Sequence, residues 1–457
     1  MARQNNFLRA LLTAFMSNSS LEPQRLASAA RRLPPEIYLE ISGYLDTWHV
    51  LKLSVTCSDF RNLLSPVLYH TMSLQSSEHC VSGLAMLSKF PTLCAQVKIL
   101  SVHPKYTASG RMQDEAMVAT MIESISYKLN NLVTFEWCGI GRPGDSLWTS
   151  LRNGCPGLKN IHVNTMSMDW AESRLLEFDN LLAFSLMISH PNLQPIPEKL
   201  LRQLYDMLCR CPNLRELAIP FSLGFPSKAW PNLCSVQLDM RATLISAQLL
   251  EAFLLRHPGI KVLAMKSFDT LQLAVYPTQL SSFDGSYSHA LQLPNPESIQ
   301  TLTLRKDRDT LISDVVAGLP QFKSLRRLSV DLIDIEVLAG VVSACLGVEQ
   351  LSIIVPTWIH RLPDISTQLS RLLALSALTL CEARSPTTRK RQMLPSALAL
   401  CEANPSLRQI SFLWIMGEKC KRGSYHISQG RIEASERTRG PGLRGSYRRF
   451  SHHIHTE

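Results

Sequence analysis

The chain has 457 residues and a formal net charge of +10, with 45% of its residues hydrophobic, which accommodates two or three average domains or one small domain joined to a repeat array. A mean hydropathy of +0.02, with no apolar run near the ~20 residues that a bilayer requires, excludes a transmembrane helix, so we expect a soluble protein with no membrane partner. Residues 1–32 hold five Arg against Glu22, residues 417–457 hold nine Lys or Arg against four Glu, and the body between holds 33 basic and 32 acidic residues; a phosphate-neutralising groove along that body is disfavoured, and nucleic acid is not an expected partner. The twelve Cys are scattered through apolar segments, with Cys209 and Cys211 the one close pair. A chain of this size does not need disulfides, and we expect a reducing compartment: cytoplasm, nucleus or both.

In chain order, residues 1–32 form an expected disordered or weakly helical leader. "FLRALLTAF" carries arginine before any acid, as transit peptides do, but Arg9 interrupts any secretory apolar core. Next comes "LPPEIYLEISGYLDTWHVLKLSVTCSDFRNLLSPVLYH". Pro34 and Pro35 suit a first helical turn, where a missing N–H costs nothing. Ile37, Ile41 and Leu45 follow at i, i+4 and i+8, the apolar stripe of a first helix. Asp46 is placed to cap a second helix carrying Val50, Leu51 and Leu53, and Ser58 a third carrying Phe60, Leu63 and Leu64, which Pro66 should end. Three short helices bury little. Periodicity leaves two readings open: the cassette completes its burial in a partner's groove, or it covers the end of a repeat array.

The order Leu33-Pro34, Glu36-Ile37, Ile41, Leu45, Leu51, Leu53, Cys57, Phe60-Arg61, Pro66 and Leu68-Tyr69 resembles an F-box, particularly in the F-box/leucine-rich-repeat proteins abundant in filamentous fungi. The likeness covers residues 33–72. It implies docking on a Skp-type adaptor and, through it, on a cullin scaffold. The adaptor-facing residues it implies are Leu33, Pro34, Ile37, Leu45, Leu51, Leu53, Cys57, Phe60, Pro66 and Leu68, some of which must instead hold the helices together.

Residues 73–416 repeat. The frame apolar-x-x-apolar-x-apolar runs from "VKILSV" at 97 through "LVTFEW" at 132, "LKNIHV" at 158, "LCSVQL" at 233, "LSSFDG" at 280 and "LRRLSV" at 325 to "LRQISF" at 407. There are thirteen copies, with steps between 19 and 35 and a mean of about 26 residues, inside the range of leucine-rich repeats. The fourth and sixth places share one face of a strand and read as core. Helical stretches such as "AQLLEAFLLRHPGI" end at a proline ahead of the next strand. The expected fold is α/β: an N-terminal three-helix F-box and then an irregular leucine-rich-repeat horseshoe, without the Asn or Cys ladder that usually follows each strand. The outward strand residues Asn160, His162, Gln237, Asp239, Thr303, Arg305, Arg327 and Asp331 are the candidate target-binding set. They make a mixed, mostly uncharged face that suits a protein better than a polyanion.

Catalytic constellations are not expected. Gly139, Gly141 and Gly144 in "CGIGRPG" satisfy G-x-G-x-x-G, but Pro143 removes a donor, and an inter-repeat turn is the better reading. Cys209-x-Cys211 has no second pair, and His452, His453 and His455 sit in a low-complexity end, so no metal and no cofactor are expected. Residues 417–457 lose apolar periodicity and read as a basic disordered tail. The expected function is that of a non-catalytic substrate adaptor of an SCF-type ubiquitin ligase. The alternative is a scaffold that uses the same elements without ubiquitin transfer.

Overall fold

A computed structural model describes residues 34–439, apart from position 46 and segments 105–111, 189–195, 221–226, 241–245, 267–270, 306–310, 331–334, 355–360, 383–392, 417–418 and 429–430. The described residues fall into two compact units. The first draws on Met1–Pro104, Gln113–Cys138 and Pro143–Asn160, the second on Lys105–Met112, Gly139–Arg142 and Ile161–Glu457.

The first unit opens with α1 (Pro35–Gly43), α2 (Thr47–Ser54) and α3 (Ser58–Tyr69). Pro35 starts α1 where its absent N–H has no intrahelical partner to lose. The helices close on Tyr38, Val50, Phe60 and Leu64, with Tyr38 and Phe60 edge to face at 4.9 Å between ring centroids. Three details differ from the sequence reading. Tyr38 rather than Ile37 turns inward, because the larger ring fills the space against Phe60, and Ile37 is left 39% exposed. Cys57 caps α3, its Sγ accepting the Phe60 N–H at 3.5 Å, while Ser58 is the first helical residue. Pro66 lies inside α3 instead of ending it. Pro66 has no N–H to offer the carbonyl of Asn62, an exposed residue, and the helix closes beyond it through His70 N–H to Pro66 O at 3.0 Å.

Strands β1 (Thr71–Leu74), β2 (Ile99–Val102) and β3 (Thr134–Cys138) then run parallel, with Ser73, Ser101 and Glu136 in one row. β1 obeys the repeat frame as Tyr69-x-x-Met72-x-Leu74, a copy concealed by its overlap with the end of α3. The helix Asp145–Gly154 packs Leu147, Trp148 and Leu151 inward, with Trp148 edge to face on Phe135.

The second unit continues the pattern with β4 (Asn160–Thr165), β5 (Ala183–Ile188), β6 (Glu216–Pro220), β7 (Ser235–Asp239), β8 (Val262–Lys266), β9 (Ser282–Ser286), β10 (Thr301–Arg305), β11 (Arg327–Val330), β12 (Gln350–Ile354), β13 (Ala377–Glu382) and β14 (Gln409–Met416). They pair in chain order, and the pairings from β5 to β14 are parallel. All thirteen frames read from sequence supply a strand, each starting at the frame's third place and with the fourth and sixth places inward. Leu302, Leu304, Leu351, Ile353, Leu378 and Leu380 are each at most 2% exposed. In the weak copy at 280 the sixth place is Gly285, where a Cβ would stand 2.5 Å from the Phe283 ring; the ring of the fourth place fills the volume of both.

Two bonding devices tie repeats to their neighbours, the first recurring along the stack and the second at three places. In the first, two successive N–H groups converge on one carbonyl of the preceding repeat: Gln300 and Thr301 on Ser281 O, Arg326 and Arg327 on Gln300 O, Glu349 and Gln350 on Arg326 O. In the second, a buried residue stands just before the turn into the strand. Asn404 donates to the Leu369 and Leu372 carbonyls at 2.9 Å each. His257 accepts the Trp230 N–H at 3.1 Å on Nε2 and donates from Nδ1 to Phe253 O at 2.8 Å. The Cys155 thiol reaches Ser126 O at 3.5 Å. Buried polar bonds thus stand ahead of the strand at these three places, where the expected ladder would have followed it.

The expectation for 417–457 changes over part of its length. β15 (Lys419–Ser428) pairs antiparallel with β14, and β16 (Arg431–Arg439) pairs antiparallel with β15. An unpaired β14 edge would leave a row of unsatisfied backbone groups, and the hairpin supplies their partners despite its weak apolar pattern. His452, His453 and His455 lie outside the described residues, as do residues 1–32. No helix among the described residues is long and apolar enough to cross a membrane.

Candidate protein-docking surfaces

Two surfaces hold the candidate residues. On the front helices, Phe60 is 1% exposed and belongs to the interior. Leu45, Leu53, Cys57 and Leu68 are half-buried against that interior. Pro34, Ile37, Leu51 and Pro66 face outward, and Leu33 lies outside the described residues. The outward set also contains Leu39, Tyr44, Val55 and Val67, between 37% and 66% exposed, none singled out from sequence. Their one signal is that they are apolar and off the stripes read for the three helices. Burial pushes the Tyr38 phenol above its ordinary pKa, as expected of a ring that belongs to the core.

On the strand face, Asn160 donates from Nδ2 to Thr134 Oγ1 at 2.9 Å within the first unit. In the second unit His162 and Gln237 are half-exposed, and Arg327 is exposed. Asp239 and Thr303, expected to face outward, are only 8% and 3% exposed. Parallel strands stand about 4.8 Å apart, so short side chains in the middle of a stack are covered by their neighbours on both sides. Asp239 stands between Pro220 and Lys266, and Thr303 beside Asp284. Arg305 is held in a bidentate pair with the buried Asp284, Nε to Oδ1 at 2.9 Å and Nη2 to Oδ2 at 3.0 Å, so its fork is spent within the face. Asp331 lies outside the described residues. Sequence reading missed Asp284 and its neighbours Ser286 and His289, where Ser286 Oγ lies 3.0 Å from His289 Nδ1. They sit in the weakest copy of the frame.

The glycine motif does not form a phosphate cradle: the Gly139 N–H is given to Asn164 O at 3.1 Å, and the Ile140 carbonyl accepts from Met166 N–H at 3.1 Å. Cys211 is buried, its thiol pushed above the ordinary pKa chiefly by burial, and it contacts Met207 Sδ at 3.9 Å. Cys209 is half-buried. Cys80, Cys155 and Cys345 are pushed up to about 12 by burial, which leaves them with almost no thiolate at neutral pH. Among the described residues no cluster of three or more His, Cys, Asp or Glu is placed to hold a metal.

Comparison with known proteins gives a family match at the front of the chain. Residues 19–75 match the F-box-like family. A crystal structure of the Rad7 and Elc1 complex in yeast is similar at 12% identity with a TM-score of 0.30, covering 72% of this chain and 87% of that one. No curated protein matches the sequence. Residues 19–75 therefore match an F-box-like domain, followed along the chain by a long run of parallel strand-and-helix repeats.

Proposed function

We propose that the chain is the target-binding subunit of an SCF-type cullin ubiquitin ligase. Its front helices dock on a Skp-type adaptor, and its repeats hold a protein target. The observation that carries the reading is the F-box-like match over helices that leave Ile37, Leu39, Leu51 and Val55 outside a core of four residues. Helices this short cover their own apolar surface poorly, and a groove on a second polypeptide is the usual remedy. Ubiquitin transfer belongs to the partner enzymes, and this chain contributes by holding the target close to the charged conjugating enzyme, which raises its effective concentration there.

The test is co-purification of the full chain with a Skp-type adaptor and a cullin. Ile37→Asp with Leu51→Asp abolishes adaptor recovery and leaves the repeats folded. Undiminished recovery overturns the docking assignment, and an adaptor complex that never contains a cullin favours a scaffold without ubiquitin transfer.

A further inference from the structure

Four consecutive repeats, those of β11 to β14, enter their strands through one recurring turn. It is closed by Leu325 N–H to Phe322 O, Val348 N–H to Cys345 O, Leu375 N–H to Leu372 O and Leu407 N–H to Asn404 O, all between 3.1 and 3.2 Å. The first closing residue is buried each time, and the next stands at the tip: Lys323, Leu346, Leu373 and Pro405. The register Arg327↔Gln350↔Ala377↔Gln409 lines these turns up, so neighbouring tips follow each other at about the 4.8 Å strand spacing.

Other repeats put proline at this tip, as at Pro156 and Pro258, or a short polar residue, as at Asn130. Two adjacent repeats put leucine there. Leu346 is 56% exposed and Leu373 83%, the highest value for a large hydrophobic residue among those described. The turns at Leu346 and Leu373 close main chain to main chain, so their closure asks nothing of these side chains. A single exposed leucine needs no explanation, but two side by side, continued by exposed Pro405, make an apolar ridge.

The charge around the ridge is a second, independent observation. Segments 321–327, 344–350, 371–377 and 403–409, which form this edge, hold Lys323, Arg326, Arg327, Arg371 and Arg408 against Glu349 alone, whose carboxylate meets Arg326 at 3.3 Å. The body of the chain is neutral overall, so this is a local excess set round an apolar strip.

We propose that this edge grips a short acidic segment of a partner protein in which apolar side chains alternate with carboxylates. The apolar side chains would lie along Leu346, Leu373 and Pro405, and the carboxylates would meet the arginines on either side. A nucleic acid would satisfy the charge and leave the leucines facing phosphate. A second copy of the same edge would bring arginine against arginine. The inference deepens the proposed function and rests on it for one point, that the occupant is a captured target.

The probe is a fluorescein-labelled peptide in which paired leucines are flanked by glutamates, titrated with the full chain and followed by anisotropy. We expect saturable binding that weakens with added salt and falls about tenfold or more in Leu346→Asp with Leu373→Asp, and again in Arg371→Glu with Arg408→Glu. Thermal unfolding of both variants stays at the parent temperature, and Leu373→Ala gives a smaller loss in the same direction. The inference is overturned if the parent chain does not bind the peptide, or if either double variant binds it equally well. Equal binding of a peptide with lysine for glutamate or alanine for leucine overturns it too. So does a DNA oligonucleotide that displaces the peptide at comparable concentration, or self-association that the leucine substitutions abolish. Adaptor co-purification is measured on the same variants. If it is retained while the peptide is lost, the edge is a site of its own, and if it fails in the parent chain while the peptide binds, the adaptor reading falls and the edge stands.

Discussion

The front helices and the repeats handle apolar residues in opposite ways. In α1 to α3 a core of four residues is surrounded by Ile37, Leu39, Tyr44, Leu51, Val55 and Val67, all at least 37% exposed. In β10 to β13 the fourth and sixth places of each frame are at most 2% exposed, and the residues between them are mostly polar. A strand presents alternate residues to opposite faces, so its sequence sorts inside from outside. A helix of eight or nine residues with few neighbours presents several faces and fills only one. Exposed greasy residues at the front are thus a property of surface left over, while Leu346 and Leu373 stand in turns, outside the strands whose alternation does the sorting.

That contrast is open to direct attack. The largest expected effect is on the repeats: Trp148→Ala removes a fully buried ring from its edge-to-face contact with Phe135 and lowers stability by about 3–5 kcal/mol in denaturant unfolding. Ile37→Asp with Leu51→Asp at the front should stay within about 0.5 kcal/mol by the same measurement, and a loss as large as that of Trp148→Ala would show that these residues serve the fold. Asn404→Ala removes one of the two donors from each of two buried carbonyls and costs about 1–3 kcal/mol.

The pH dependence comes next. Burial holds the His257 imidazole below its ordinary pKa, so the unfolded chain takes up a proton near 6.5 that the folded chain refuses. Stability is intact above pH 6.5 and falls as the pH drops through that value toward the lower folded one, by at most about 1.4 kcal/mol per unit, and His257→Gln flattens the slope. The smallest effect has the opposite sign. Gly43→Ala, whose added Cβ would find no atom within 4 Å, should stabilise α1 by up to about 1 kcal/mol; a loss would mean that the glycine is needed for its conformation.

How much of this was legible in the sequence follows from the same difference. Period-two alternation located every strand from β2 to β14, and β1 was missed because Tyr69 served a helix and a repeat at once. At the front, three helices were legible but their facing was not. Choosing Tyr38 over Ile37 depends on the shape of the space beside Phe60, and the persistence of α3 through Pro66 depends on what surrounds the exposed Asn62. On the strand face, the burial of Asp239 and Thr303 and the pairing of Arg305 with Asp284 are set by neighbours some 20 residues or more away, which no local pattern announces. β15 and β16 were invisible for a related reason: what they answer is the open edge of β14, a need that lies outside their own composition.

The converging pair of N–H groups that recurs along the stack is made of main chain alone. Substitution cannot delete it short of introducing proline, so the copies are free to diverge in every residue but the few that fill the interior. A scaffold of this kind can change what it catches without renegotiating how it stands, and its ancestry will fade from the side chains long before it fades from the backbone.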